Sequence, residues 1–292
     1  TRLGRWSRGL GDVYKRQPIP DDGETTMSAH RTVTSPALPP LVAALTEARG
    51  HEARKPLRKA ILDAARTRSP ELTHHLDHED CLTRWEIVNL LGELRDPRVA
   101  LNVVRFALDE DEVHARWRAF WAVSRVERGT TVPLLLDALH GDHPVASWRA
   151  ALMLTLVRHS AAVPYLVNGL ASDDEWIQWE ALSGLKALAP LAALPSVLPF
   201  MEADRPRNLR QEAVLAVGAI GSSAGREALE RYLEDADPEI RWRASMGLGR
   251  IGDRRSAGPI RSRLRKERHP STRRQLTTDL NRLEAQDGQT PP

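Results

Sequence analysis

A unit of about 31 residues recurs seven times between Trp85 and the C-terminus, and few folds accept a repeat of that length. The clearest copies read RWRAFWAV from Arg116, SWRAALML from Ser147, QWEALSGL from Gln178, RQEAVLAV from Arg210 and RWRASMGL from Arg241. Aligned on one anchor, they fall at Trp85, Trp117, Trp148, Trp179, Gln211, Trp242 and Arg274, in steps of 31 or 32 residues. So short a unit cannot enclose a core of its own. It buries its apolar face only by stacking on its neighbours, and that is a solenoid.

The register within the unit is helical. Two residues after the anchor stand Ile87, Ala119, Ala150, Ala181, Ala213, Ala244 and Leu276. Six after it stand Leu91, Val123, Leu154, Leu185, Val217, Leu248 and Leu280, and nine after it Leu94, Val126, Val157, Leu188, Ile220, Ile251 and Leu283. All are apolar, and at about 100° per residue they share a sector of ~60°. One buried stripe is expected, with close helix contact at the recurrent Ala. A second helix should begin near Pro133, Pro164, Pro195 and Pro259, since proline suits a first helical turn. Pro199 should kink or shorten one of them. Asp111, Asp142, Asp173, Asp204 and Asp237 are expected to cap the next first helix. Gly218, Gly221, Gly247, Gly249 and Gly252 read as close packing and helix stops.

Outside the repeats the chain reads differently. Residues 1–36 are rich in Pro, Gly, Thr and Ser without a period and are expected to be disordered. Gly11 to Gln17 resembles translated adapter sequence, so Met27 is the expected start and residues 1–26 are set aside. Residues 37–78 read as atypical capping helices, around Leu38–Ala48 and Leu57–Thr67. Residues 79–284 are the repeats and 285–292 a disordered tail. One cysteine, Cys81, precludes an intramolecular disulfide and fits a cytoplasmic, reducing setting. No apolar run approaches the ~18–20 residues of a membrane helix, and no signal-peptide pattern is read. The net charge of +3 hides a polarity. Residues 160–239 hold six Lys/Arg against thirteen Asp/Glu, and residues 240–274 hold twelve against two.

The unit from Asp237 to Leu264 resembles the HEAT-like repeat of the phycobilisome-lyase type, over roughly residues 79–284. The resemblance implies an all-α, right-handed α-α superhelix of about seven hairpins, of the armadillo type, with second helices on a concave side. Related functions include bilin lyase subunits, deoxyhypusine hydroxylase and interaction scaffolds. In the hydroxylase, His-Glu pairs at the anchor bind two irons. Here the anchor dipeptides are Trp85-Glu86, Trp179-Glu180 and Gln211-Glu212, without histidine, so that site is not expected. His74, His75, His78, Glu79, Asp80 and Cys81 form the densest cluster of ligand types, read as the solvated end of a capping unit.

Two groups remain as binding candidates. The ladder of Trp85, Trp117, Trp148, Trp179 and Trp242 lies nearly opposite the apolar stripe. It either locks adjacent repeats or receives a partner. The basic block of Arg254, Arg255, Arg261, Arg263, Arg265, Lys266 and Arg268, continued by Arg273 and Arg274, would attract phosphates or an acidic surface, or simply caps the stack. No catalytic, cofactor or metal constellation is read. The expected function is non-catalytic binding of another macromolecule, a protein first, with a bilin lyase-like subunit and nucleic-acid binding as alternatives.

Overall fold

The structure is a computed structural model that describes residues 37–285. The readings placed on residues 1–36 and on the tail beyond 285 lie outside the described residues. Two helices, α1 (Leu38–Glu47) and α2 (His51–Ala65), lead through the short α3 (Ser69–Leu72) into the repeats. In chain order follow α4 (Cys81–Leu94), α5 (Ala100–Asp109), α6 (Val113–Arg125), α7 (Arg128–Leu139), α8 (Pro144–Leu156) and α9 (Val163–Gly169). Then come α10 (Glu175–Leu188) with α11 (Leu194–Val197), α12 (Arg207–Ile220) with α13 (Ser223–Tyr232), α14 (Pro238–Ile251) with α15 (Ala257–Lys266), and a last helix, α16 (Pro270–Ala285). Among the described residues there is no strand, and the fold is an all-α solenoid.

Contacts divide the described residues into two units that meet between Met153 and Leu154 in the chain. In the first, α4 lies against α6, and α5 packs on both α6 and α7. In the second, α10, α12, α14 and α16 lie side by side in chain order, backed by α9, α13 and α15.

The seven residues two places after the anchor are wholly buried, and so are those six places after it, apart from slight exposure of Leu280. The stripe is narrower than expected at its end: Leu94, Leu188, Ile220 and Ile251 are only half-buried. The reason lies one residue further on. Arg95, Arg158, Ala189, Gly221 and Gly252, each ten after an anchor, have φ between 51° and 74°. The chain leaves the helix there in the left-handed conformation, so the ninth position sits on the last turn, although Val157 stays buried before Arg158. Close packing is set by glycine where predicted. A Cβ on Gly218 would stand 2.7 Å from Gly247 Cα, so α12 and α14 meet backbone to backbone.

Several expectations need correction. Of the five aspartates expected as caps, only Asp237 is one, accepting from Glu239 N at 2.9 Å. Where a side chain caps a first helix, it stands five residues before the anchor. Asp80 accepts from Thr83 N (2.9 Å), Glu112 from Ala115 N (2.7 Å), His143 Nδ1 from Ala146 N (3.3 Å) and Asp174 from Trp176 N (2.8 Å). Pro206 holds that place before α12 without a side-chain cap. Pro133 does not start its helix but lies inside α7. The hydrogen bond it cannot donate would go to Gly129, which is exposed and solvated. Of the N-terminal pair, α2 starts at His51 rather than near Leu57, carrying Pro56 within it. Pro199 behaves as expected: α11 has four residues, and the chain continues as a 3-10 turn over Leu198–Met201.

Candidate functional site

The residue before each anchor does a job the sequence reading missed. Its side chain reaches back to carbonyls of the linker before its helix or of the preceding helix end. Arg84 Nη1 donates to the carbonyls of His78 (2.9 Å) and Glu79 (3.1 Å), and Arg116 Nη1 to that of Asp111 (3.5 Å). Ser147 Oγ donates to those of Ala138 and Gly141, both at 3.3 Å, and Gln178 Nε2 to that of Ser172 at 2.6 Å. Arg210 Nε reaches Met201 (3.2 Å), Arg241 Nη1 Asp235 (2.8 Å), and Arg273 Nη1 Leu264 (3.0 Å). At every joint a carbonyl of the linker or of the preceding helix end thereby gains a side-chain donor. Three of these arginines also pair with an acid 25 or 26 residues on: Arg84 with Glu110, Arg210 with Asp235 and Arg241 with Glu267. That spacing was the available signal.

With the joints held this way, the anchor tryptophans are not all locked between repeats. All five are half-buried. Two others, off the anchor register, are the open ones: Trp121 is 54% exposed and Trp176 55%. Trp121 is four after Trp117 and Trp176 three before Trp179, so each widens the anchor face of its helix. Trp176 stacks on Trp179 with centroids 5.3 Å apart, and its Nε1 donates to Glu180 Oε1 at 3.0 Å.

In the first unit the rings line a cavity. Cys81, Leu82 and Trp85 of α4 face His114, Trp117, Arg118 and Trp121 of α6 and the cap Glu112, around a volume of about 600 Å³. Leu82 is 49% exposed at its edge. Trp117 meets Phe120 edge-on at 5.4 Å, and the Arg118 guanidinium lies 4.9 Å from the Trp85 ring centroid, a cation–π contact. Glu112 is held as a carboxylate, its pKa pulled down to about 2 by the Ala115 N–H and by His114. Volume and apolar lining suit a small ligand or an inserted side chain.

The basic block is largely engaged within the fold. Arg261 pairs with Glu284, and Arg263 with Glu234 (3.0 Å) and Glu267 (3.1 Å). Lys266 lies 3.6 Å from Glu234 and Arg255 2.6 Å from Asp253. Arg254, Arg265 and Arg268 are exposed. A cavity of about 460 Å³ opens among Arg241, Arg263, Lys266, Arg268 and His269, floored by Glu267. The polarity read from the sequence is thus partly spent on internal pairs. In the histidine cluster, His78 Nδ1 accepts from Asp80 N (3.0 Å), and burial with His78 and His74 nearby pushes His75 below its ordinary pKa. Among the described residues no three such side chains converge as a metal ion requires. Nor is any described helix long and apolar enough to cross a membrane.

The family model for HEAT repeats matches residues 69–145, 132–216 and 194–281. No curated protein matches the chain. Among solved structures, karyopherin Kap121p bound to the extreme C-terminus of the phosphatase Cdc14p is similar over 86% of this chain and 34% of its own. Its TM-score is 0.56 and its identity 10%. YibA of E. coli is similar over 84% of this chain and 91% of its own, with a TM-score of 0.53 and 14% identity. The CpcE–CpcF complex of phycocyanin lyase from Nostoc sp. PCC7120 covers 74% of this chain and 94% of its own, with a TM-score of 0.43 and 19% identity. At these identities the likeness to Kap121p and YibA is one of fold.

Proposed function

Because the chain belongs to the HEAT-repeat family, we propose that it is a non-catalytic scaffold or adaptor that binds another macromolecule, a protein, on the first-helix face of its repeats. The observation that carries this reading is the cleft between α4 and α6. There Leu82 and Trp121 stand half in water beside Trp85 and Trp117. Large apolar side chains gathered around a concavity mark an interaction site, because covering them releases water from apolar surface. The joints on either side are satisfied by their own hydrogen bonds, so the cleft is preformed and binding orders little. A cytoplasmic setting belongs to the same proposal, in keeping with a single free thiol.

Affinity capture from the native cell extract, with the wild-type chain beside a Leu82→Ala/Trp121→Ala variant, tests the proposal. A partner held by the first and lost by the second supports it. An identical set of captured proteins overturns it. Nucleic-acid binding at the basic end is a second reading, favoured by exposed Arg254, Arg265 and Arg268. It requires an affinity that falls steeply with salt.

A further inference from the structure

The cleft of the first unit has a charge as well as a shape. Helix α6 carries Arg116, Arg118 and Arg125 with His114, and no acidic residue. Arg118 is exposed and lies on the Trp85 ring, and among the described residues no carboxylate pairs with it. A second cavity, of about 390 Å³, also reaches Trp85 and is lined by Arg49, His51 and Arg54, with Glu86 among them. The acids nearby are already committed. Glu86 is buried and paired with Arg58. Glu112 accepts from Ala115 N at 2.7 Å and contacts His114 Nδ1 at 3.0 Å. The Trp85 cleft therefore offers an apolar cavity and an unanswered cation at one mouth.

We infer that this cleft takes an acidic protein segment, one that inserts an aromatic or aliphatic side chain between Trp85 and Trp121 and sets an adjacent Asp or Glu on Arg118. The inference rests on the scaffold reading and names the partner's chemistry. The alternatives fit less well. A cationic or quaternary-ammonium ligand would find the Trp85 face occupied by Arg118 and be repelled by it. A nucleic-acid strand needs a track of free cations for successive phosphates, and the concave, mostly apolar cavity offers no such track. An apolar anchor flanked by a carboxylate answers both features at once.

The probe is a library of random dodecapeptides displayed on phage and selected on the full chain. Binding of the recovered peptides is then read by quenching of tryptophan fluorescence. We expect the recovered peptides to share Trp, Phe or Leu beside Asp or Glu. Trp121→Ala and Arg118→Glu should each weaken them by roughly tenfold or more. Both side chains are exposed, so the variants keep the core. Peptides with the acid changed to Lys should prefer Arg118→Glu over the wild type. Peptides without acidic enrichment, or equal binding by Arg118→Glu, overturn the inference. So does a cleft that quenches with oligodeoxythymidine and not with the peptides. If the captured natural partner still depends on Leu82 and Trp121 while the peptides show no acidic bias, the chemistry is wrong and the scaffold reading stands. If capture is independent of the cleft, the scaffold reading fails by itself.

Discussion

Glu267 and Asp279 are both buried carboxylates near the end of the chain, and their surroundings send them in opposite directions. Glu267 receives two bonds from Arg241, at 2.7 and 2.8 Å, and the backbone N–H of His269 at 2.8 Å. The Arg241 guanidinium, first, holds its pKa down to about 2, against desolvation. A carboxyl held below its unfolded range stabilises the fold above pH ~4.5, and the contribution is lost as pH falls toward 2. Glu267→Gln leaves a buried guanidinium half answered, so it should cost about 3 kcal/mol at pH 7. Urea denaturation at pH 7 and pH 3 checks this: the gap between variant and wild type should narrow at the lower pH. Asp279 is wholly buried. Its Oδ2 accepts from Ser245 (2.7 Å) and Gln275 (2.9 Å), while Oδ1 faces Gly249 without a hydrogen bond. Burial pushes its pKa up, opposed only in part by the Ser245 and Gln275 hydrogen bonds and then by Arg282. The ionised form therefore destabilises the fold, increasingly as pH rises through the ordinary aspartate range. Asp279→Asn should raise the melting temperature at pH 7 by a few degrees, with the gain vanishing below about pH 4, as calorimetry would show. Neither behaviour is written in the local sequence, because both depend on residues from neighbouring hairpins.

At the scale of elements, the period and the core positions were legible because burial repeats strictly. The residues two and six after each anchor are the core in every repeat. The caps were misread by a residue or two. Aspartate is a favoured cap, and the eye stops at Asp111 and Asp173. The helix instead starts after whatever acceptor stands five before the anchor, whether aspartate, glutamate or histidine. The two readings separate experimentally. Asp174→Ala should cost about 1 kcal/mol and Asp173→Ala under about 0.5, measured by chemical denaturation. The candidate cleft was half legible. Trp85 and Trp117 stand on the period, but Trp121 and Leu82 fall off it, and only stacking α6 on α4 brings the four together. The spacing of four between Trp117 and Trp121 was the signal to follow. The basic block was legible as composition, but its ion pairs were not, since Glu234 and Glu284 come from outside the counted stretch.

For the whole molecule, stability is a sum over neighbours rather than the property of one centre. Helices flanked on both sides, such as α12 and α14, should exchange their amide hydrogens slowest. The one-sided α16 and the α1–α2 pair should open first. Mass-spectrometric hydrogen exchange under native conditions would resolve that order, and uniform protection from α1 to α16 would contradict it. The side chain just before each anchor has a historical consequence too. Each copy of the unit arrives with the donor that fastens it to the copy upstream, so a duplicated segment brings its own hinge pin. Growth or loss of a whole hairpin would carry these local joints with it, while pairs that cross between repeats, such as Arg241 with Glu267, would have to be met again by the new neighbour.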